Sequence, residues 1–198
     1  DGELGLLTKV DLPLNLHVEA YPYAWYSAAN KVSRLGLRAD FRYDIFDDLL
    51  AVGYAHHSWH NADVESPRTS GRSQDSLFLD VEALKISLGE KTDSLELHLI
   101  PRYYLHNSEP IQILDFYDGT ETFARGQLDL KVLANYWHFY GRIQPYWQIA
   151  AGDSRYGISG EVGYKITRFL AIFVDGGYYQ TDSHHRVEAA FGIRIIFH

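Results

Sequence analysis

The feature that most constrains this chain is an alternation of apolar and polar residues with a period of two, sustained well beyond the roughly 5–6 residues of an ordinary globular strand. Between positions 34 and 45, Leu35, Leu37, Ala39, Phe41, Tyr43 and Ile45 alternate with Arg34, Gly36, Arg38, Asp40, Arg42 and Asp44. Between 185 and 198, Val187, Ala189, Phe191, Ile193, Ile195 and Phe197 oppose Arg186, Glu188, Gly192, Arg194 and His198. Tyr156, Ile158, Val162, Tyr164 and Ile166 oppose Arg155, Ser159, Glu161 and Lys165 in the same way. Successive strand residues point to opposite sides of a sheet, so each segment has one greasy face and one face carrying charges of both signs.

The same pattern predicts about ten strands. Their cores fall at 14–26, 34–45, 49–59, 76–88, 94–106, 127–139, 142–151, 155–166, 170–180 and 185–198. Most approach or exceed the roughly 9–11 residues of a tilted strand crossing a bilayer. Short predicted turns at 44–48, 89–93, 140–141 and 167–169 fall on one side of the sheet. The two longest connections, 60–75 and 107–125, fall on the other and carry Pro67, Gly71, Pro110 and Gly119. Aromatic residues gather toward strand ends, at Tyr21, Tyr23, Trp25 and Tyr26, and at Tyr136, Trp137, Phe139 and Tyr140. Rings placed this way suit the two interfaces of a membrane.

Composition removes several alternatives. Cysteine is absent, which excludes disulfides and thiolate metal sites. With 26 acidic residues against 18 Lys and Arg, a formal net charge of −8 and no basic run, there is no footprint for nucleic acid. No apolar run reaches the roughly 18 residues of a spanning helix, and the segment opening at Asp1 reads as that of a processed, secreted chain.

Over nearly its whole length the chain resembles a mature bacterial outer-membrane β-barrel. Such barrels commonly end in an aromatic residue within an alternating last strand, and the run from Phe191 through Ile195 to Phe197 fits that pattern. The resemblance implies an all-β, transmembrane, antiparallel up-and-down barrel of about ten strands with a polar lumen, spanning 14–198, both termini periplasmic and residues 1–13 as a periplasmic N-terminal segment. It places the chain in the outer membrane, with the lipid bilayer and lipopolysaccharide as partners and an envelope protein complex as a further one. In that arrangement the lumen receives Arg34, Arg38, Asp40, Arg42, Asp80, Glu82, Glu96, Arg102, Asp129, Lys131, Glu161, Arg186, Glu188 and Arg194. Neither sign dominates, so these groups are expected to pair and leave a narrow or plugged interior.

One stretch carries chemistry: Gly53-Tyr54-Ala55-His56-His57-Ser58-Trp59-His60-Asn61-Ala62-Asp63. Leu50, Val52 and Tyr54 define the apolar face, so His56, Ser58 and His60 continue it outward while His57 points inward. A His and a Ser two apart on one strand face can hydrogen-bond, which lets imidazole take the hydroxyl proton during attack on an ester. Asp75 has the parity of Leu77, Leu79 and Val81 and is positioned to orient His56, with Ser73 and Gln74 as alternatives. The His-x-Ser arrangement is similar to that of outer-membrane phospholipase A and the lipid A 3-O-deacylases. That likeness implies His56 as general base, Ser58 as nucleophile and Asp75 as the orienting acid.

Two other readings stay open for the same residues. The histidines cap a strand in the headgroup zone, or His57, His60, Asp63 and His106 supply imidazole and carboxylate ligands to a divalent metal. No cofactor is expected. At the level of function, the sequence points first to a non-enzymatic barrel serving as envelope scaffold, assembly component or narrow channel. The alternatives are an outer-membrane lipid esterase or deacylase, and a soluble β-barrel that binds an apolar ligand.

Overall fold

Strands with one greasy and one ionic face can hide the ionic side together only if the sheet closes on itself, which also removes its edges. The computed structural model describes residues 2–27, 32–46, 49–61, 72–89, 93–108, 110–113, 121–150, 153–180 and 185–197. They form strands β1 (Gly2–Leu12), β2 (Leu16–Ser27), β3 (Val32–Phe46), β4 (Leu50–Asn61), β5 (Arg72–Ser87), β6 (Ser94–Asn107), β7 (Pro110–Ile113), β8 (Glu121–Phe123), β9 (Gly126–Tyr136), β10 (Phe139–Ala150), β11 (Asp153–Thr167), β12 (Leu170–Gln180) and β13 (His185–Phe197). Eleven of them make a closed barrel in the order β1-β13-β12-β11-β10-β9-β6-β5-β4-β3-β2. Strands β7 and β8 pair as a separate hairpin within the long connection from β6 to β9.

The outward surface is apolar and the inward one ionic. Leu35, Val162 and Val187 are exposed, Val162 by 63% of its surface, whereas Asp80, His98, Asp129 and Glu161 are buried, Asp129 completely. Bulky inward rings lie over glycines on neighbouring strands. A Cβ at Gly36 would fall 2.2 Å from the Tyr23 ring, and one at Gly163 the same distance from Tyr140. A side chain at either position would have to displace the ring that covers it.

Two sequence expectations change. Residues 2–12, within the segment read as lying outside the barrel, form β1, which pairs antiparallel with β2 and parallel with β13, Gly2 opposite Phe191 and Thr8 opposite Phe197. The barrel therefore has an odd number of strands and one parallel seam. Because β1 runs in the direction of β13, its start lies toward the end opposite the one where β13 finishes, so the two termini do not share an end. Glu3, Gly5 and Leu7 face inward and Leu4 and Leu6 outward; the Leu6-Leu7 doublet and the two glycines hid that alternation.

The second change concerns the turn expected at 140–141, which lies at Trp137 and His138 between β9 and β10. Trp137 adopts a left-handed φ of 54°, and its backbone N–H donates to the Asp93 carboxylate at 2.9 Å. That bond offsets part of the cost of positive φ in a bulky residue. Gly141 lies within β10, opposite Val162 of β11.

Inside the barrel, two ion pairs cross an intervening strand at a small residue. Arg42 of β3 donates to Asp80 of β5 at 2.9 Å. The intervening β4 presents Gly53 opposite Arg42 and fully buried Ala51 opposite Asp80. Arg194 of β13 donates two bonds to Glu161 of β11, at 2.7 and 3.0 Å, with fully buried Ala171 of β12 opposite Arg194. A larger residue at either alanine would occupy the space the guanidinium crosses.

Candidate active site

Strand β4 sets out the site by its alternation. Register places His56 opposite Ala39 of β3 and Asp75 of β5, and Ser58 opposite Leu37 and Ser73. These positions continue the outward row below them, where Tyr54 faces Phe41 and Leu77. The row lies toward the barrel end that carries the longer connections.

Three side chains meet there. His56 Nδ1 is 2.8 Å from Asp75 Oδ1, and His56 Nε2 is 3.0 Å from Ser58 Oγ. An ionised carboxylate can only accept, so a neutral His56 must carry its proton on Nδ1 and donate it to Asp75. Nε2 is then left as an acceptor for the Ser58 hydroxyl. The geometry thus fixes the tautomer that a general base requires, with the hydroxyl proton already directed at the nitrogen that would receive it. All three side chains are only partly buried.

Tyr54, absent from the sequence-derived set, completes the arrangement. Its hydroxyl donates to Asp75 Oδ1, the same oxygen that accepts from His56. The signal was available in the sequence, since Tyr54 has the parity of His56 and precedes it by two. Across β5, a bulge changes what borders the acid. The register between β5 and β6 shifts at Asp75 and Ser76, leaving Leu105 as the extra residue and setting His106 opposite Asp75.

The residues weighed as metal ligands at this end do not converge. His57 faces inward, its Nε2 3.0 Å from the Tyr23 hydroxyl, while exposed His60 lies on the outward row opposite Leu35. His106 is exposed beside Asp75, and Asp63 lies outside the described residues.

The inward charges form several groups. Arg34 stacks between the Trp25 and Trp59 rings, 4.9 and 4.1 Å from their centroids. Arg38 packs on Tyr23 and is 3.8 Å from Glu3, which accepts from Tyr21. Asp40 shares that face and is accessible to solvent. Asp80 is approached by Arg42, by His98 and by Lys131 at 3.4 Å. Arg102 donates to Asp129 at 2.7 Å, and Lys85 bridges Glu82 and Glu96 at 3.7 and 3.6 Å. The side chains of Arg186 and Glu188 lie outside the described ones; their backbones pair with Tyr179 and Gly177.

No described protein family, no curated protein and no solved structure matches this chain.

Proposed function

We propose that this chain is an outer-membrane β-barrel that hydrolyses an acyl ester of membrane lipid, with Ser58 as nucleophile. The observation that carries the reading is the Asp75–His56–Ser58 relay, located on the outward face among apolar side chains and not in an enclosed polar pocket. A lipid lying against the barrel would bring its ester to Ser58 without leaving the bilayer. As the Ser58 Oγ bonds to the acyl carbon, its proton passes to His56 Nε2; the alkoxy group then leaves with that proton, breaking the ester C–O bond. Water, deprotonated by the same nitrogen, attacks the acyl-enzyme; the bond to Ser58 Oγ breaks, His56 returns the proton to that oxygen, and a fatty acid is released.

The exposed aliphatic rows and the ionic interior support placement in a bilayer. They also weigh against a soluble barrel that holds an apolar ligand, since the interior offers charged groups. A second reading, a compact envelope scaffold or narrow channel, draws on the inward ion pairs that tie strands together across the interior. Conductance across a planar bilayer would support the channel.

The deciding experiment uses the chain folded into vesicles containing ester-linked phospholipid and, separately, lipid A, with released fatty acid measured by mass spectrometry. Expected is release by the wild type and none by Ser58→Ala. Unchanged lipids in both preparations would overturn the esterase reading and leave the scaffold. Extraction into plain buffer, with no heat-dependent shift in gel mobility, would overturn the membrane placement.

A further inference from the structure

We infer that Glu82, Glu96 and His98, on the inward face of β5 and β6, form a binding site for a divalent transition-metal ion of the zinc class. One ligand atom from each lies within 4.8 Å of the others, the grouping of this kind found among the described residues. Imidazole nitrogen and carboxylate oxygen are the donors zinc takes, and three protein ligands with one open position is a common zinc arrangement.

His98 supplies the independent argument. Its side chain is buried, and its Nδ1 is 2.7 Å from Asp80 Oδ1. The carboxylate accepts, so Nδ1 of a neutral ring carries the proton and Nε2 presents a lone pair. That Nε2 is buried without a hydrogen-bond partner. It faces Glu96 Oε2, another acceptor, at 3.5 Å. With the ring neutral, a buried lone pair on Nε2 faces a carboxylate oxygen and is left unsatisfied, which costs free energy. A cation between them satisfies both. Ser94 donates to the other Glu96 oxygen at 2.8 Å, which holds Oε2 toward the ring.

The surroundings are built in the same sense. Asp80 orients His98 as a carboxylate orients a metal-bound imidazole. A bulge in β5 leaves Ala83 as the extra residue, so that Glu82 opposes His98 and Lys85 opposes Glu96. Without it, Glu82 and Lys85 would point to opposite faces. The Lys85 ammonium contacts both Glu82 and Glu96, at 3.7 and 3.6 Å, from a side chain that is 44% exposed. It is the cation that the metal displaces. Arg42 and Lys131 pair with Asp80, the carboxylate behind His98.

The experiment titrates Zn2+ into the tag-free, detergent-folded chain by calorimetry, with Co2+ absorption reporting ligand geometry. Expected is one ion per chain, with binding lost in Glu82→Gln/Glu96→Gln. Asp80→Asn should weaken it about 10- to 100-fold. Lys85→Ala should tighten binding, a response that mere damage to the fold would not give. Binding should persist in His56→Ala, which separates this site from the esterase reading. Absence of stoichiometric binding, binding unchanged in the double variant, or weaker binding in Lys85→Ala would each overturn the assignment.

Discussion

Asp75→Asn tests the relay at its least substitutable point. The side chain keeps its shape, and an amide can still bond to both Tyr54 and His56, so the barrel should fold and insert as before. The chemistry changes in one of two ways. With the amide oxygen toward His56, the tautomer is retained but the charge that stabilises imidazolium is gone. Replacing a charge-assisted bond with a neutral one is worth about 1–2 kcal/mol, or about 5- to 30-fold in rate. With the NH2 toward His56, Nδ1 becomes the acceptor and Nε2 takes the proton. It then donates to Ser58 and cannot receive the hydroxyl proton. Loss of the working tautomer in a triad costs about 10^4 in kcat, or about 5 kcal/mol. The amide exchanges between both orientations, so the one that keeps the tautomer sets the floor: the expected loss of kcat is at least about 5-fold and rises toward about 10^4 as the other orientation is populated. Fatty-acid release from vesicles, measured at saturating lipid, gives that number directly. Activity equal to that of wild type would refute the role of Asp75 and leave its contact with His56 a packing detail.

The remaining expectations follow from neighbouring contacts. His57→Ala, which alters the inward histidine beside Tyr23, should leave hydrolysis unchanged; loss of activity with an intact barrel would mean that the wrong histidine has been assigned. Glu161→Gln leaves Arg194 buried with its charge uncompensated and should lower unfolding stability by about 3–5 kcal/mol in denaturant titrations of the detergent-folded protein. A change below 1 kcal/mol there would show that the interior is too well hydrated for the pair to matter. Ala171→Leu adds volume at a fully buried position opposite Arg194 and should destabilise by about 1–3 kcal/mol, visible as gel mobility shifting at lower temperature.

What the sequence made legible follows from the strength of its alternation. Leu35 to Ile45 has no interruption, and β3 forms there with its charged side inward. The row through Tyr54, His56 and Ser58 was readable because parity along a strand survives any uncertainty in where the strand ends. Asp75 was readable for the same reason on the partner strand. Features that break parity were not. The β5 bulge at Ala83 puts Lys85 on the face of Glu82, and the β6 bulge at Leu105 brings His106 beside Asp75; a pattern of strict period two assigns both to the wrong side. Glu82, Glu96 and His98 were recognisable as sharing the inward face, but the cross-strand register that sets Glu82 opposite His98, and the bulge that adds Lys85, were not. The β9–β10 turn was misplaced because Gly141 is a natural turn residue, whereas Trp137 in left-handed conformation depends on Asp93, a contact distant in sequence. Strand β1 was missed because its inward row contains Gly5 and Leu7, which carry no polar signal.

The most direct test of the central claim is to treat the folded barrel in vesicles with a long-chain alkyl fluorophosphonate and map the modified residue by mass spectrometry. If Ser58 is an activated nucleophile open to lipid, the label should appear on Ser58, and His56→Ala should abolish it. Labelling at another residue, or labelling of Ser58 that persists without His56, would contradict the account.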